Sequence, residues 1–262
     1  MSLKTSIQLI RNATVVFNYA GKNFLIDPML APKGAYPGFE GTPNSHLQNP
    51  LTELPVSPES LLDADAVIVT HLHPDHWDEA AIRMIPKAKK IFAQNAEDQK
   101  AIESTGFKDV TAMNEITLFD DVKWVKTACQ HGSDEAYKNP QVGAMLGKSS
   151  GLFFNQEGEK SVYFAGDSIW TDAIEDYLKE FQPDIVVLNT GFAQVNGFGG
   201  IIFGKEDVLK VAQISPKSTI IAIHMEALNH CTLSRKELKE YVNEKGISSK
   251  VIIPEDGDTI NF

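Results

Sequence analysis

Only two cysteines, Cys129 and Cys231, occur in 262 residues. That is too few for a disulfide framework, so a reducing cytoplasm is the expected setting. Long apolar runs are also missing. No stretch approaches the ~20 residues needed to span a bilayer, and the opening residues lack the apolar block of a signal peptide. Positive charge is scarce: 24 Lys and Arg stand against 35 Asp and Glu, a net charge of −11. A nucleic-acid partner would need a basic stripe, and the short cluster Lys87-Ala88-Lys89-Lys90 is too small to supply one. The composition therefore points to a globular chain acting on a small molecule, with length enough for one large domain spanning residues 1–262.

Histidine is sparse as well, with seven in the chain, yet three fall within six positions in Val69-Thr70-His71-Leu72-His73-Pro74-Asp75-His76-Trp77. An apolar run, Ala66-Val67-Ile68-Val69, leads into them and reads as a buried strand delivering ligands from its C-terminal end. His71 and His73, two apart on an extended segment, share a side and can reach one cation. Pro74 forces a turn, after which Asp75 and His76 offer a carboxylate and a third imidazole. A histidine-rich surface loop, or a helix start capped by Asp75, is the plain alternative; the clustering weighs against it. One tight loop thus begins two adjacent metal sites.

The rest of the chain is a mixture of strands and helices. Ser6–Ile10, Ala13–Tyr19 and Asn23–Ile26 read as strands, the last two joined by a turn at Ala20-Gly21-Lys22. Residues 28–58 then hold seven of the thirteen prolines and little periodicity, as binding loops or lids do. Helices are expected at Asp78–Ile85 and Ala96–Ser104, with strands at Ile91–Ala93, Val110–Met113 and Val122–Cys129. A second loop is expected over 132–150, followed by a hairpin of Gly151–Asn155 and Ser161–Ala165. The second half alternates more strictly. Helices Thr171–Phe181, Lys205–Gln213 and Ser234–Lys245 interleave with strands Asp184–Leu188, Thr219–Ile223 and Lys250–Ile253. Ser234-Arg235-Lys236-Glu237 is a capping box. Such a pattern predicts sheets packed together with helices outside.

Three further metal-binding side chains stand where apolar strands run out: His131 after Trp124–Gln130, Asp167 after Tyr163-Phe164-Ala165-Gly166, and His224 after Ile220–Ile223. Strand ends hold loop roots rigidly and are where such folds collect their chemistry.

The motif H-x-H-x-D-H, together with Phe164-Ala165-Gly166-Asp167-Ser168 and the late His224, resembles the metallo-β-lactamase superfamily over most of the chain, from Phe24-Leu25-Ile26-Asp27-Pro28 onward. That resemblance implies an α+β fold, a four-layer αββα sandwich with a two-metal cleft at the edge between its sheets. It places His71, His73 and His131 on one metal, and Asp75, His76 and His224 on the other, with Asp167 bridging. The aspartate-proline strand end looks most like the branch holding ascorbate-6-phosphate lactonase and N-acyl phosphatidylethanolamine phospholipase D.

Imidazole and carboxylate ligands without thiolate suit two divalent transition-metal ions: zinc first, with manganese or iron as alternatives. Two such ions can share a hydroxide and polarise an electrophile, which gives a metal-dependent hydrolase of a small ester, lactone, amide or phosphodiester. An iron-dependent redox enzyme on the same fold, or a catalytically silent metal- or ligand-binding protein, is the alternative. Asp75 is a candidate catalytic residue as well as a ligand, able to orient the water or carry its proton. His230 is the second catalytic candidate, binding substrate or protonating a leaving group. Asp27 is placed to accept a hydrogen bond from a ligating imidazole and fix its tautomer. Tyr36, Phe39 and His46 are candidates for a substrate pocket. Asn189-Thr190-Gly191-Phe192 could form a cleft wall, and Gly197-Phe198-Gly199-Gly200 reads rather as a flexible surface hairpin. Cys129 reads as packing. Substrate identity resides in loops 29–65 and 132–150.

Overall fold

The computed structural model describes residues 5–262. Two seven-stranded sheets form its centre. The first runs, edge to edge, Thr259–Asn261, Ser6–Arg11, Thr14–Tyr19, Lys22–Ile26, Ala66–Val69, Lys90–Ala93 and Asp109–Ala112. The second runs Val251–Ile252, Thr219–Ile223, Ile185–Asn189, Val162–Phe164, Ser150–Phe154, Val122–Ala128 and Ile116–Phe119. In each sheet antiparallel hairpins give way to parallel strands. Val15 pairs Ile26 in an antiparallel ladder, for example, and Leu25 pairs Val67 in a parallel one.

The two-residue period of each strand divides its side chains between two apolar layers. Phe24, Ile26, Ala66 and Ile68 face the second sheet, meeting Trp124, Leu152, Phe154 and Phe164. Leu25, Val67 and Val69 face the other way, onto helices Glu79–Met84 and Ala96–Ser104. On the far side, Tyr163, Val186, Leu188 and Ile220 pack against helices Asp172–Phe181, Lys205–Ile214 and Arg235–Glu244. This is the expected αββα sandwich. Its central layer is aromatic: Phe17 stands edge-on to Phe154 and Phe164 at 5.0 Å each, and Trp124 stacks on Phe154 at 5.4 Å. Edge and stacked pairs of this kind add stabilisation beyond the area they bury.

The expected elements are present with ends shifted by a residue or two. Two differences bear on the site. The segment 132–150 is not a bare loop: it carries helices Asp134–Lys138 and Pro140–Leu146. Each is short enough to escape a periodicity reading, and capping fixes both. Ser133 Oγ accepts from Ala136 N, Asn139 Oδ1 accepts from Gln141 N and Val142 N, and Pro140 supplies the fixed φ of a first helical position. The stretch Gln194–Gly200 is a small hairpin, Gln194–Val195 against Gly199–Gly200, and not merely a surface excursion, since Val195 is buried. Strands Ile116–Phe119 and Thr259–Asn261 are additional to the expected elements. They are edge strands, where pairing partners rather than local pattern decide the outcome.

Candidate metal centre

All seven expected ligands converge at one end of the sandwich. Strand Ala66–Val69 ends in Thr70, and the turn beyond it presents His71, His73, Asp75 and His76. The second sheet delivers His131 beyond Val122–Ala128, Asp167 beyond Val162–Phe164 and His224 beyond Thr219–Ile223. They fall into two groups, His71 with His73 and His131, and Asp75 with His76, Asp167 and His224. Within each group the ligand atoms lie within 4.8 Å of one another. Asp167 Oδ2 stands between the groups. It is 3.2 Å from His76 Nε2 and 3.7 Å from His224 Nε2 on one side, and 3.6 Å from His131 Nε2 and 3.9 Å from His71 Nε2 on the other.

The test of fit to metal lies in the imidazole tautomers. His131 Nδ1 meets the carbonyl of Ile201 at 2.8 Å, and His73 Nε2 meets that of Met145 at 2.9 Å. A carbonyl only accepts, so each of these nitrogens carries the proton. The remaining nitrogens, His131 Nε2 and His73 Nδ1, therefore point lone pairs at each other across 3.2 Å. His71 Nε2 lies 3.1 Å from the same His73 Nδ1, while its own Nδ1 faces Thr70 Oγ1, whose proton goes to Asp27. In the second group His76 Nδ1 donates to Asp27 Oδ2 at 2.8 Å, which leaves Nε2 facing His224 Nε2 at 3.2 Å and two carboxylates. Lone pairs converging in this way repel unless a cation sits among them. A nitrogen-and-oxygen set with each imidazole fixed from outside fits divalent transition metals well.

Charge makes the same demand. Burial alone would lower His76, yet Asp167, Asp27 and Asp75 outweigh it and raise its pKa to about 10. His224 is raised well above the ordinary range despite its burial, chiefly by Asp167. Burial would raise Asp75 and Asp167, but neighbouring His76 and His224 hold both well below the usual carboxylate range. In the other group burial prevails and pushes His131 down to about 4. The two buried carboxylates thus call for positive charge, which protons supply when no metal does.

The supporting residues explain how the loops hold their angles. Asp27, expected to fix an imidazole, does so for His76 and also accepts from Thr70 N at 2.7 Å. Its φ of 47°, like that of His224 at 65°, lies in the left-handed region, a strained setting for a residue with a side chain. Asn12, itself at φ 59°, ties the sheets together there: its Nδ2 donates to Asp75 O at 3.0 Å and its carbonyl accepts from His224 N at 3.0 Å. Asn189 donates to Asp167 Oδ1 at 2.5 Å, so the strand end expected as a cleft wall instead aims the central carboxylate. Two glycines are sterically required. A Cβ on Gly191 would meet His224 O at 1.9 Å, and one on Gly166 would meet Ser150 O at 2.6 Å. Sequence reasoning missed Asn12 and Thr70. It also missed the carbonyls of Met145 and Ile201, which carry no residue-type signature.

Beside the ligands opens a cleft. Phe39, Met145, Leu146, Val195 and Ile201 give it an apolar wall, His73, Asp75 and His131 a polar floor, and His230 closes one side. No lysine or arginine lines it. His230 is 6% exposed, its ring edge-on to Phe39 at 4.9 Å, and its Nδ1 has no hydrogen-bond partner. Burial pushes its pKa down to about 4, so the ring is neutral at pH 7. Of the other pocket candidates, Phe39 is present. Tyr36 is turned away, its hydroxyl 3.3 Å from Asp78 Oδ2, and His46 is exposed outside the cleft. Cys129 packs with Sγ on Ala165 O at 3.0 Å, as expected, whereas Cys231 Sγ lies 3.5 Å from His224 Nδ1. Among the described residues no helix is long and apolar enough to cross a membrane.

Comparison with known proteins agrees with this geometry. A family model described as a β-lactamase superfamily domain matches residues 22–225. The chain is 47% identical to the UPF0173 protein YddR of Bacillus subtilis (strain 168) over 258 residues, 98% of this chain and all of the relative. It is similar to the crystal structure of an isothiocyanate hydrolase from Delia radicum gut bacteria, with 48% identity and a TM-score of 0.96, covering 98% of this chain and 99% of that one. It also resembles a structure from Veillonella parvula DSM 2008 described as a possible metal-dependent hydrolase. There the identity is 42% and the TM-score 0.97, with 99% and 100% of the two chains covered.

Proposed function

The chain belongs to the β-lactamase superfamily, in its UPF0173 group of metal-dependent hydrolases, and we propose that it hydrolyses a small neutral electrophile with an apolar tail at a site for two divalent metal ions. The observation that carries the metal reading is the set of inward-facing imidazole nitrogens around Asp167, each held from outside by a fixed partner. His71, His73 and His131 would hold one ion, and Asp75, His76 and His224 the other, with Asp167 between them. When bound, such ions ionise water at neutral pH and draw charge from the electrophile, zinc being the leading choice and manganese or iron the alternatives.

The chain's own residues supply the rest. Asp75, ionised and lining the cleft, would orient the attacking water and take its proton. His230, neutral and buried, would donate one hydrogen bond to substrate; the burial that keeps it neutral argues against the alternative role of protonating a leaving group. The apolar wall excludes bulk water from both.

The cleft narrows the substrate class. Without a lysine or arginine at its lining it suits an anionic phosphodiester least among the expected substrates, and a neutral molecule best. The similarity to an isothiocyanate hydrolase over nearly the whole of both chains supports an isothiocyanate in particular. Its hydrolysis balances simply. The water oxygen bonds to the central carbon, the C–N bond breaks, and nitrogen takes both water protons, so an amine and carbonyl sulfide leave. A reducing, intracellular setting fits the two unpaired thiols. The test is to offer metal-loaded protein allyl and benzyl isothiocyanate beside a lactone, a thioester and an aryl phosphodiester. Amine release from the isothiocyanates at far higher kcat/KM than from the others is expected. Preference for the phosphodiester would overturn the substrate reading.

A further inference from the structure

We propose that Asn229 is the positioning residue that sets the selectivity of the cleft, by fixing the wall formed by Phe39 and Thr42 against His230. The proposal rests on the hydrolase reading of that cleft. Asn229 precedes His230 in the chain and is 1% exposed. Its side chain uses its whole hydrogen-bonding capacity on one distant segment. Oδ1 accepts from Phe39 N at 3.0 Å and Asn49 Nδ2 at 2.8 Å, and Nδ2 donates to Thr42 Oγ1 at 2.9 Å and Pro43 O at 2.7 Å. Its main chain is engaged there too, N to Asn49 Oδ1 at 2.9 Å and O from Asn44 Nδ2 at 3.2 Å.

No other side chain meets all four side-chain partners. Aspartate cannot donate, serine has too few groups, and glutamine is a methylene too long for a buried site. Apart from Asn229, the tip of this segment is tied to the rest of the molecule by one backbone bond, Asn196 N donating to Gly41 O at 2.9 Å. Residues 31–53 contain neither helix nor strand, only the bridge between Tyr36 and Asn49. At the base of this segment the buried Arg11 guanidinium binds the carbonyls of Met29, Ala31 and Thr52. Arg11 therefore anchors the root, and Asn229 anchors the part that lines the cleft. Phe39 and Thr42 both line the cleft, and Phe39 is set edge-on to His230 by the same bonds that fix its backbone. Thr42 Oγ1 gives its proton to Phe39 O at 2.6 Å and its lone pair to Asn229, which locks the two wall residues together. None of these bonds reaches a metal ligand.

The test compares Asn229→Ala, Asn229→Asp and Thr42→Val with the wild type. Aspartate keeps the shape and both accepted bonds while losing both donated ones. Metal content, amide exchange and kinetics on alkyl isothiocyanates from methyl to phenethyl are read in each. Metal content should stay at the wild-type value, and exchange should rise by roughly tenfold or more across residues 36–49 alone. For phenethyl isothiocyanate KM should rise about tenfold while kcat moves much less, compressing the preference for large over small tails. An unchanged preference in variants that have merely lost thermal stability would overturn the proposal, as would loss of metal or exchange rising uniformly. If the Asn229 variants do not fold, Thr42→Val decides by the same readings. Should the wild type turn over no isothiocyanate, the functional reading fails, while the exchange pattern still decides for or against the anchor.

Discussion

Asp75 offers two distinct services, and one substitution separates them. Asparagine in its place keeps the size and one oxygen but loses the charge, and with it the ability to accept a proton from water. If Asp75 only binds metal, added metal should restore the Asp75→Asn enzyme. If it also handles the proton, kcat should remain down by roughly 10²-fold or more at full occupancy. The second outcome is expected, and wild-type turnover by the metal-saturated variant would exclude it. A second expectation concerns protons released on binding. In the metal-free protein His76, at about 10, and His224, raised well above its ordinary value, both hold protons at pH 7. Each must lose that proton to ligate, so affinity should rise with pH from neutrality towards 10 and fall on acidification. Titration calorimetry in two buffers of different ionisation enthalpy should find about one to two protons released per chain at pH 7. No release at all would refute the assignment. At this scale the convergence of the site was readable where residue type and spacing carry the signal. His71, His73, Asp75 and His76 announce themselves by crowding, and Asp167 and His224 by following apolar strands. Asn12 and Asn229 were invisible because their value lies in partners far away in the chain, and the carbonyls of Met145 and Ile201 because every residue has one.

Short elements do more at this site than their length suggests. Helix Pro140–Leu146 ends beside the ligands, and its Met145 carbonyl fixes the tautomer of His73. The cap at Asn139 holds the helix start through two backbone amides. Asn139→Ala should therefore cost about 1 kcal/mol of stability and, more specifically, weaken the site of His71, His73 and His131 before the other. Stepwise metal titration of the variant would show one affinity lowered and the other intact. Equal weakening of both would contradict the role given to this helix. Neither helix in 132–150 was legible beforehand, since each is shorter than a convincing apolar period and depends on caps at Ser133 and Asn139. The long helices and buried strands were legible for the opposite reason: alternation and helical spacing persist across them, and only their ends shift.

At the scale of the whole molecule the metals would act as a clasp. The first sheet delivers His71, His73, Asp75 and His76, and the second delivers His131, Asp167 and His224, so both ions would join the two halves of the sandwich. Ligands that bind only the folded state stabilise it, by about 4 kcal/mol at a thousandfold excess over Kd. Thermal unfolding should thus shift upward on metal addition and downward on chelation. The αββα arrangement behind this was implied by the motif and by the order of strands and helices, whereas the pairing of edge strands such as Thr259–Asn261 depends on neighbours remote in sequence. The most direct test of the central claim is a titration of metal-free protein with zinc, manganese or iron(II), following bound metal and amine release from an isothiocyanate together. The two-ion account expects activity to climb until two equivalents are bound per chain and then level off. A plateau at one equivalent, with no second ion retained, would contradict it.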